Sequence, residues 1–595
     1  MKINGSFRFN LVGIVLAIMG ALVILQMVRI QTSAASQQVG QESADRYGYS
    51  VETVYPERGS IYDRWGHLLA GNDIVYEVGI NLRVANIHPD TIAQMASNLL
   101  DLNYNTALNL AQTQFVAGQV EYVTLQTFVP SATVNSIQTL STQYDHANPN
   151  GQDPKLPSLV GLTFTPFLKR SYPEGNLASN VLGFYQFLDR KNGQGVYGVE
   201  GEYDLQLAGT TQNVVMPLDP YLIQNVPQVP PGDSLVLTID RDVQASVEDI
   251  LDKALVDTKA QSGTIIVEDP KTGEILAMAS SPRIDPNKYY QDMANFPTDQ
   301  PYNMAVGATY EPGSVFKVLT MAAALDTGIV TPSTQFIDTG VTYVDGVPIY
   351  NWDNTSWGPV DMVGCMQHSI NVCMVWIAQG LGADTFYKYL KAFGIGQRTN
   401  IDLSGETLFP LMTNSDPGWH HIDLATNSFG QGLSVTPIQM VEAISAVANQ
   451  GRMMAPHVVK AIISNGQQYN ISPVTVGAPI SAKTAQTLTN LLSQSLVAEA
   501  STALVDGYSI AGKTGTAQIA EGDHYATDVI NASFVGWGPT DDPQFLVYVW
   551  LEKAPGNDWG STIAAPVFQK VVQQLVVQMD IPPDATRKSL QASGQ

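Results

Sequence analysis

Scarcity of two residue classes frames this 595-residue chain, beginning with its two cysteines, Cys365 and Cys373. So few cannot staple a small scaffold or furnish a cysteine-based zinc site, and stability must come from burial. Basic residues are also few, 30 against 54 acidic, for a formal charge of −24. A nucleic-acid binder needs a basic footprint to neutralise phosphates, so that class is excluded. Charged residues of both signs together reach only 14%, which leaves solvation of the surface largely to Gln, Asn, Ser and Thr. None of the eight histidines, the pair His420-His421 included, falls into a His-Glu-x-x-His or comparable spacing, and no metal site is expected. Against these lacks stand 44% apolar and 9% aromatic residues, enough to build cores over a length that requires more than one domain.

One long hydrophobic run is present. Phe9 to Val28 is uncharged and about 20 residues long, the length that crosses a hydrocarbon core of roughly 30 Å as a helix. Ser33-Ala34-Ala35 offers a weak cleavage site, but the run exceeds a signal-peptide core of about 7–15 residues and Arg29 intervenes. An uncleaved anchor over 9–30 is therefore expected, after a tail of 1–8. Lys2 and Arg8 precede it, which puts the N-terminus in the cytoplasm and the rest outside.

A polar tether follows over 31–50, then a first folded region over 51–225. It has strand-like Ile74 to Val78, helix-like Thr91 to Gln112 and a loop over Asp145 to Gly151. The proline-dense stretch Val226 to Asp233 suits neither a sheet interior nor a helix, so 226–235 reads as a linker. From 236 to 580 the pattern is α/β. Arg241 to Asp257 is an amphipathic helix, Gly263 to Glu268 and Glu274 to Ala279 are strands joined by a Pro/Gly turn, Ser533 to Trp537 and Gln544 to Leu551 are two more, and Ile563 to Met579 is an apolar helix. The order implies an antiparallel sheet flanked by helices, with an all-helical insertion. A tail of 581–595 closes the chain.

Three short motifs carry chemistry. In the first, Pro312 and Gly313 break the chain before a nearly all-apolar run, so a buried helix starts near Ser314. Ser314 and Lys317, at i and i+3, share its face. A lysine desolvated there loses hydration of its charged form and can act as a base toward the serine. An exposed Ser-x-x-Lys on an ordinary helix accounts for that pattern equally well in isolation. The second is Ser369-Ile370-Asn371, where hydroxyl and carboxamide stand two apart at a helix edge; a serine cap explains it alone. The third is Lys513-Thr514-Gly515-Thr516, placed on an edge strand where its donors can receive a carboxylate. Lys271-Thr272-Gly273 repeats three of those letters in the hairpin turn, and only context separates them.

In this order the motifs resemble the signature of the penicillin-binding proteins. The likeness extends further: Arg58 to Ala70 is similar to an N-terminal family motif except at Trp65, where Asn is usual. Tyr172-Pro173, Leu182-Gly183 and Gly195 to Glu200 are similar to pedestal motifs of class B members, and Phe429 to Gln439 resembles another family segment. The resemblance covers about 56 to 579. It implies a multidomain α/β protein with one transmembrane helix, an elongated α+β pedestal and a transpeptidase domain. It also implies a peptidoglycan DD-transpeptidase without cofactor, in a bacterial cell membrane with its catalytic domain outside.

On this resemblance Ser314 attacks the penultimate D-Ala carbonyl of a stem peptide and Lys317 takes its proton. Ser369 and Lys513 relay a proton to the leaving amine, and Asn371 orients the peptide. The backbone N–H groups of Ser314 and Thr516 form the oxyanion hole, and Lys513, Thr514, Gly515 and Thr516 bind the donor carboxylate. The implied partners are stem peptides of lipid II-derived strands, β-lactams, the cell membrane, a polytopic glycosyltransferase and other division-complex proteins. Asn303 to Ser314 and the Lys-Thr-Gly-Thr form lean to a septal rather than an elongation enzyme.

Rival readings are a β-lactamase or DD-carboxypeptidase, for which Glu406 is the available acid, and a non-catalytic scaffold or antibiotic sensor. One continuous helix would hold Cys365 and Cys373 about 12 Å apart, too far for a disulfide. Unpaired thiols are therefore expected, unless the chain breaks near Ser369.

Overall fold

The computed structural model describes residues 5–31, 49–188, 192–217, 229–521, 524–556 and 559–593. The tether expected over 31–50 lies almost wholly outside them, as do residues 226–228 of the linker. Two units are distinct: 1–57 with 208–232, and 58–207 with 233–595.

The first unit contains a 27-residue helix, Gly5–Gln31, which includes the expected span. Its described side chains, at 13, 14 and 16–29, are exposed. Among the described residues no helix is long and apolar enough to cross a membrane. The unit's strands Tyr49–Val54 and Gln212–Pro217 pair antiparallel, from Tyr49 opposite Pro217 to Val54 opposite Gln212.

In the second unit, a five-stranded antiparallel sheet runs in the order Glu274–Ser281, Ser262–Asp269, Phe545–Pro555, His524–Gly538, Ala511–Glu521. The central strands are buried on both faces. One face packs on the helices Arg241–Thr258 and Gly560–Gln578 through Val247, Leu251, Phe534, Val549 and Phe568. Val243, Val247, Leu251 and Ala254 fall on one helical stripe, which is why Arg241–Thr258 lies on the sheet. The other face meets a helical insertion that includes Lys317–Thr327, Met362–Gln367, Asn371–Leu381, Pro437–Ala448 and Ala482–Glu499. This insertion is not all helix: two small ladders, Phe336–Asp338 with Gly358–Val360 and Val341–Val344 with Val347–Tyr350, sit at its rim.

A seven-stranded sheet joins sequence-distant parts of this unit. Ile61–Tyr62 pairs antiparallel with Leu68–Asn81 and parallel with Ser234–Leu237, which pairs in turn with Val459–Ser464. Leu68–Asn81 continues outward to Tyr122–Pro130 and Leu162–Ser171. Pairing thus bridges the proline-rich stretch, and residues on both sides of it form one body. Prolines break local structure but leave the flanking strands free to find partners.

The helix-like run Thr91 to Gln112 divides into Pro89–Leu99 and Tyr104–Ala111, because Asp101 adopts φ +55° and the Asn103 side chain accepts from Asn105 N and Thr106 N to cap the second helix. Beyond Met579 the tail contains a helix, Asp584–Ser593, held where Asp584 accepts from Ser509 N and Arg587 pairs with Asp541.

The pedestal motifs converge on one buried carboxylate. Glu200 Oε2 accepts from Arg58 Nε at 2.8 Å and Nη2 at 2.6 Å, and Oε1 accepts from Arg170 Nε at 2.7 Å and Tyr172 Oη at 3.1 Å. Trp65, the departure from the family pattern, donates its indole N–H to Asp240 at 2.7 Å.

Candidate active site

Ser314 lies in a 3-10 turn, Gly313–Phe316, immediately before the helix Lys317–Thr327. Gly313 has φ +59°, and a Cβ there would stand 2.9 Å from the Thr516 carbonyl oxygen. Only glycine allows the turn this approach to the edge strand Ala511–Glu521. The serine turn and the third motif are thereby neighbours, although 200 residues separate them.

Lys317 is fully buried. Its Nζ bonds Ser369 O at 2.6 Å, Asn371 Oδ1 at 2.7 Å and Ser369 Oγ at 3.2 Å. Burial, then the charge of Lys513, pushes its pKa well below the ordinary lysine value, against an upward pull from Glu499. A neutral amine has two protons, which the two carbonyl oxygens take, and one lone pair that can accept a hydroxyl proton.

Asn371 is held from its other end, where Nδ2 donates to Tyr350 O at 3.0 Å. Ser369 adopts φ +51° between the helices Met362–Gln367 and Asn371–Leu381. This break folds the chain back and corrects the expectation of unpaired thiols: Cys365 and Cys373 form a disulfide with Cα atoms 6.2 Å apart. Two helices meeting at a left-handed residue replace the continuous helix that would have kept them apart. The bridge thus spans the turn that presents Ser369 and Asn371.

Lys513 is equally buried, on the edge strand opposite Val535. Its Nζ bonds Thr514 O at 3.2 Å, Thr514 Oγ1 at 3.3 Å and the Glu499 carboxylate. Among the described residues, none of these bonds joins Lys513 to Ser369. Glu499 also receives the Thr514 hydroxyl and, at 3.3 Å, the Thr514 N–H. Thr516 Oγ1 accepts from Gly560 N at 2.9 Å, leaving its proton to donate. Gly515 packs closely, since a Cβ there would meet Val315 at 3.0 Å and Ser533 Oγ more closely still.

Glu499 was not among the sequence candidates. The signal was available: it is the one acid in the helix Ala482–Glu499, placed at the last turn where the helix dipole disfavours negative charge. The aromatic rim was also missed. Trp352 donates its indole N–H to His368 O at 2.9 Å and meets Trp559 at 4.5 Å between ring centroids, and His368 stacks on Trp357 at 3.7 Å. His368 belongs to this rim, with a pKa lowered by burial.

Glu406 is engaged by other groups. Its carboxylate accepts from Thr399 N at 2.6 Å, Thr399 Oγ1 at 2.8 Å and Asn400 N at 3.2 Å, which staples a loop. Lys271-Thr272-Gly273 occupies the hairpin turn between Ser262–Asp269 and Glu274–Ser281, as its context required.

Comparison with known proteins agrees with this arrangement. The family model described as penicillin binding protein transpeptidase domain matches residues 263–573, and the penicillin-binding protein dimerisation domain matches 53–222. The chain is 33% identical over 545 residues to Stage V sporulation protein D of Bacillus subtilis, covering 89% of this chain and 79% of that protein. It is 32% identical over 436 residues to penicillin-binding protein PbpB of Mycolicibacterium smegmatis, covering 69% of this chain and 65% of that protein's length. The structure of penicillin binding protein 3 of Mycobacterium tuberculosis complexed with aztreonam is similar at TM-score 0.67 and 26% identity, over 89% of this chain and 98% of that one. Two family domains in this order, with the serine turn set against the lysine strand, place the chain among the class B penicillin-binding proteins.

Proposed function

We propose that this class B penicillin-binding protein cross-links peptidoglycan through an acyl-enzyme on Ser314. The observation that carries the assignment is Lys317, a buried amine one turn from the serine, with its protons directed at Ser369 O and Asn371 Oδ1. Ser314 Oγ attacks the penultimate D-Ala carbonyl, its proton passes to Lys317 Nζ, and the peptide C–N bond breaks. The terminal D-Ala departs after taking a proton at its nitrogen, by way of Ser369. An acceptor amine then attacks the ester and returns the serine its proton. The N–H groups of Ser314 and Thr516 stabilise the tetrahedral oxyanions, and Thr516 with Lys513 receives the donor carboxylate.

Mass spectrometry after incubation with a β-lactam tests this reading. A stable adduct on Ser314 is expected, and its absence sinks the assignment. Rapid loss of the adduct would favour a hydrolase. Both carboxylate oxygens of Glu406 are engaged by Thr399 and Asn400, which supports slow deacylation.

The uncharged run Phe9 to Val28 in the sequence, with Lys2 and Arg8 before it, supports a single membrane anchor with a cytoplasmic N-terminus and an extracytoplasmic body. Resistance of the body to protease added to intact cells would count against that topology. The motif context supports a septal role, and family resemblance supports work beside a polytopic glycosyltransferase. Depletion should give filaments, whereas spheres would indicate an elongation enzyme. The 33% likeness to a sporulation protein over most of the chain favours a second reading, synthesis of a spore wall, with a defect confined to spores.

A further inference from the structure

Glu499 is expensive by every local measure. It is the last residue of an 18-residue helix, at the negative end of the dipole. Its side chain is 5% exposed, and its Oε2 is buried without a hydrogen-bond partner. A carboxylate so placed is tolerated where it serves a site rather than the fold. Its Oε1 meets two groups of the third motif, the Lys513 ammonium and the Thr514 hydroxyl, together with the Thr514 N–H.

We propose that Glu499 is a positioning residue for acylation of Ser314, a carboxylate that orients Lys513 and Thr514 and restrains the field of Lys513 on Lys317. The inference rests on the assignment of Ser314 as nucleophile and Lys317 as its base. Two lysines share this cleft, and each cation raises the cost of charging the other. With Lys513 alone, Lys317 would be driven further toward the neutral amine, which is a weaker base once formed. A carboxylate on Lys513 cancels part of that field and keeps Lys317 basic enough to take the serine proton.

The groups facing this carboxylate come from several elements. Lys513 and Thr514 lie on the edge strand and Lys317 on the helix Lys317–Thr327. His368 follows the helix Met362–Gln367 and also feels Glu499, together with Asp353. Asp326 meets the helix Ala482–Glu499 at the end far from Glu499, through Ser481 and Thr484. Of these, Lys513 and Glu499 act on Lys317, with opposite sign.

Glu499 also stands where a substrate carboxylate would otherwise find Lys513 and the Thr514 hydroxyl unopposed. Those groups are consequently presented already oriented, and a donor carboxylate reaches them by sharing or exchanging with Glu499. Thr516, whose hydroxyl proton is not engaged by Glu499, is the donor available at first contact.

The test is the pH profile of Ser314 acylation by a fluorescent penicillin, measured as a second-order rate on the full chain in detergent. Acylation rises with pH as Lys317 loses its proton, so the acidic limb reports on that group. In Glu499→Gln, which keeps the acceptor and removes the charge, the limb moves to lower pH by about one unit. The plateau falls on the order of tenfold, the scale of other supporting-shell losses. Glu499→Asp draws the same charge back by one methylene, so its limb moves in the same direction by less. A merely structural role lowers the rate without moving the limb; a limb unmoved, or moved to higher pH, overturns the proposal in either variant. Should Glu499→Gln not fold, the Asp variant decides alone. Absence of labelling in the unaltered chain would remove the nucleophile assignment itself, whereas normal labelling with unmoved limbs removes this inference only.

Discussion

Glu200 in the pedestal and Glu499 in the cleft are both buried carboxylates facing cations, and the structure treats them in opposite ways. Glu200 has both oxygens bonded, lies between Arg58 and Arg170, and receives Tyr172 as well. Burial pushes its pKa up, but the two arginines more than offset this and hold it below the usual value. Its cations cannot lose their protons, so the cluster carries a fixed charge pattern over any ordinary pH. Glu499 bonds through one oxygen to Lys513, whose charge, after burial, helps drive Lys317 toward its neutral form. Arginines with a saturated carboxylate make a joint; lysines with an unsaturated one make a reactive site. Burial is common to both, so it does not distinguish them. The nature of the cation and the completeness of hydrogen bonding do.

Removing each charge separates the two kinds of cluster. The largest effect is expected from Lys317→Met, which fills the same space without an amine. Acylation by a β-lactam should fall by about 10³-fold or more, while the thermal midpoint holds or rises because a buried polar group is gone. A variant that retains labelling would break the contrast at its reactive end.

Glu200→Gln should do the reverse. With Arg58 and Arg170 left facing a neutral amide, unfolding free energy should drop by about 3–5 kcal/mol, measured by denaturant titration. The labelling rate of the molecules still folded should be unchanged. Loss of labelling with stability intact would make the pedestal cluster a functional site instead.

A third group shows what happens when no cation is supplied. Glu268 is fully buried with neither carboxylate oxygen bonded, and burial, then Asp269 and Glu442, raises its pKa well above the usual value. Glu442 is pushed up to about 8 by burial and then by Glu406. Between about pH 4.5 and 8 the folded chain retains a proton on Glu442 that the unfolded chain releases. The folded state binds more protons there, so stability falls as pH rises through that window. Glu442→Gln should flatten this slope and stabilise the protein near neutral pH by on the order of 2–3 kcal/mol. An unchanged slope in pH-dependent denaturation would contradict it.

The smallest effect concerns the bridge beneath the second motif. Reduction of Cys365–Cys373, which closes a separation of 8 residues, should cost about 2 kcal/mol in unfolding free energy. Because the bridge spans the turn presenting Ser369 and Asn371, labelling should also slow severalfold. Intact mass with and without reductant would differ by two hydrogens if the bridge is present, and an unchanged mass would remove this prediction.

The antiparallel sheet, its two covering helices and the helical insertion were legible because hydrophobic period and turn residues act over a few positions. Ser314 and Lys317 were legible for the same reason, being one helical turn apart. The apolar pattern over Thr91 to Gln112 suits one helix, but an Asn cap and one left-handed Asp outweigh it and divide the run in two. Unpaired thiols were expected on the premise of an unbroken helix, which the left-handed Ser369 removed. Glu499 gave a faint local sign, an acid at the wrong end of a helix, but no sign of its partner.

By itself the sequence determined the identity and order of the reactive residues, the elements that carry them and the low charge of the surface. The tertiary structure alone decided which charges meet. Lys317 and Lys513 lie nearly 200 residues apart, and Glu200 lies 142 residues from Arg58. Local preferences extend one or two turns, whereas the field on a buried amine depends on every charge packed within a few ångströms, whatever its place in the chain.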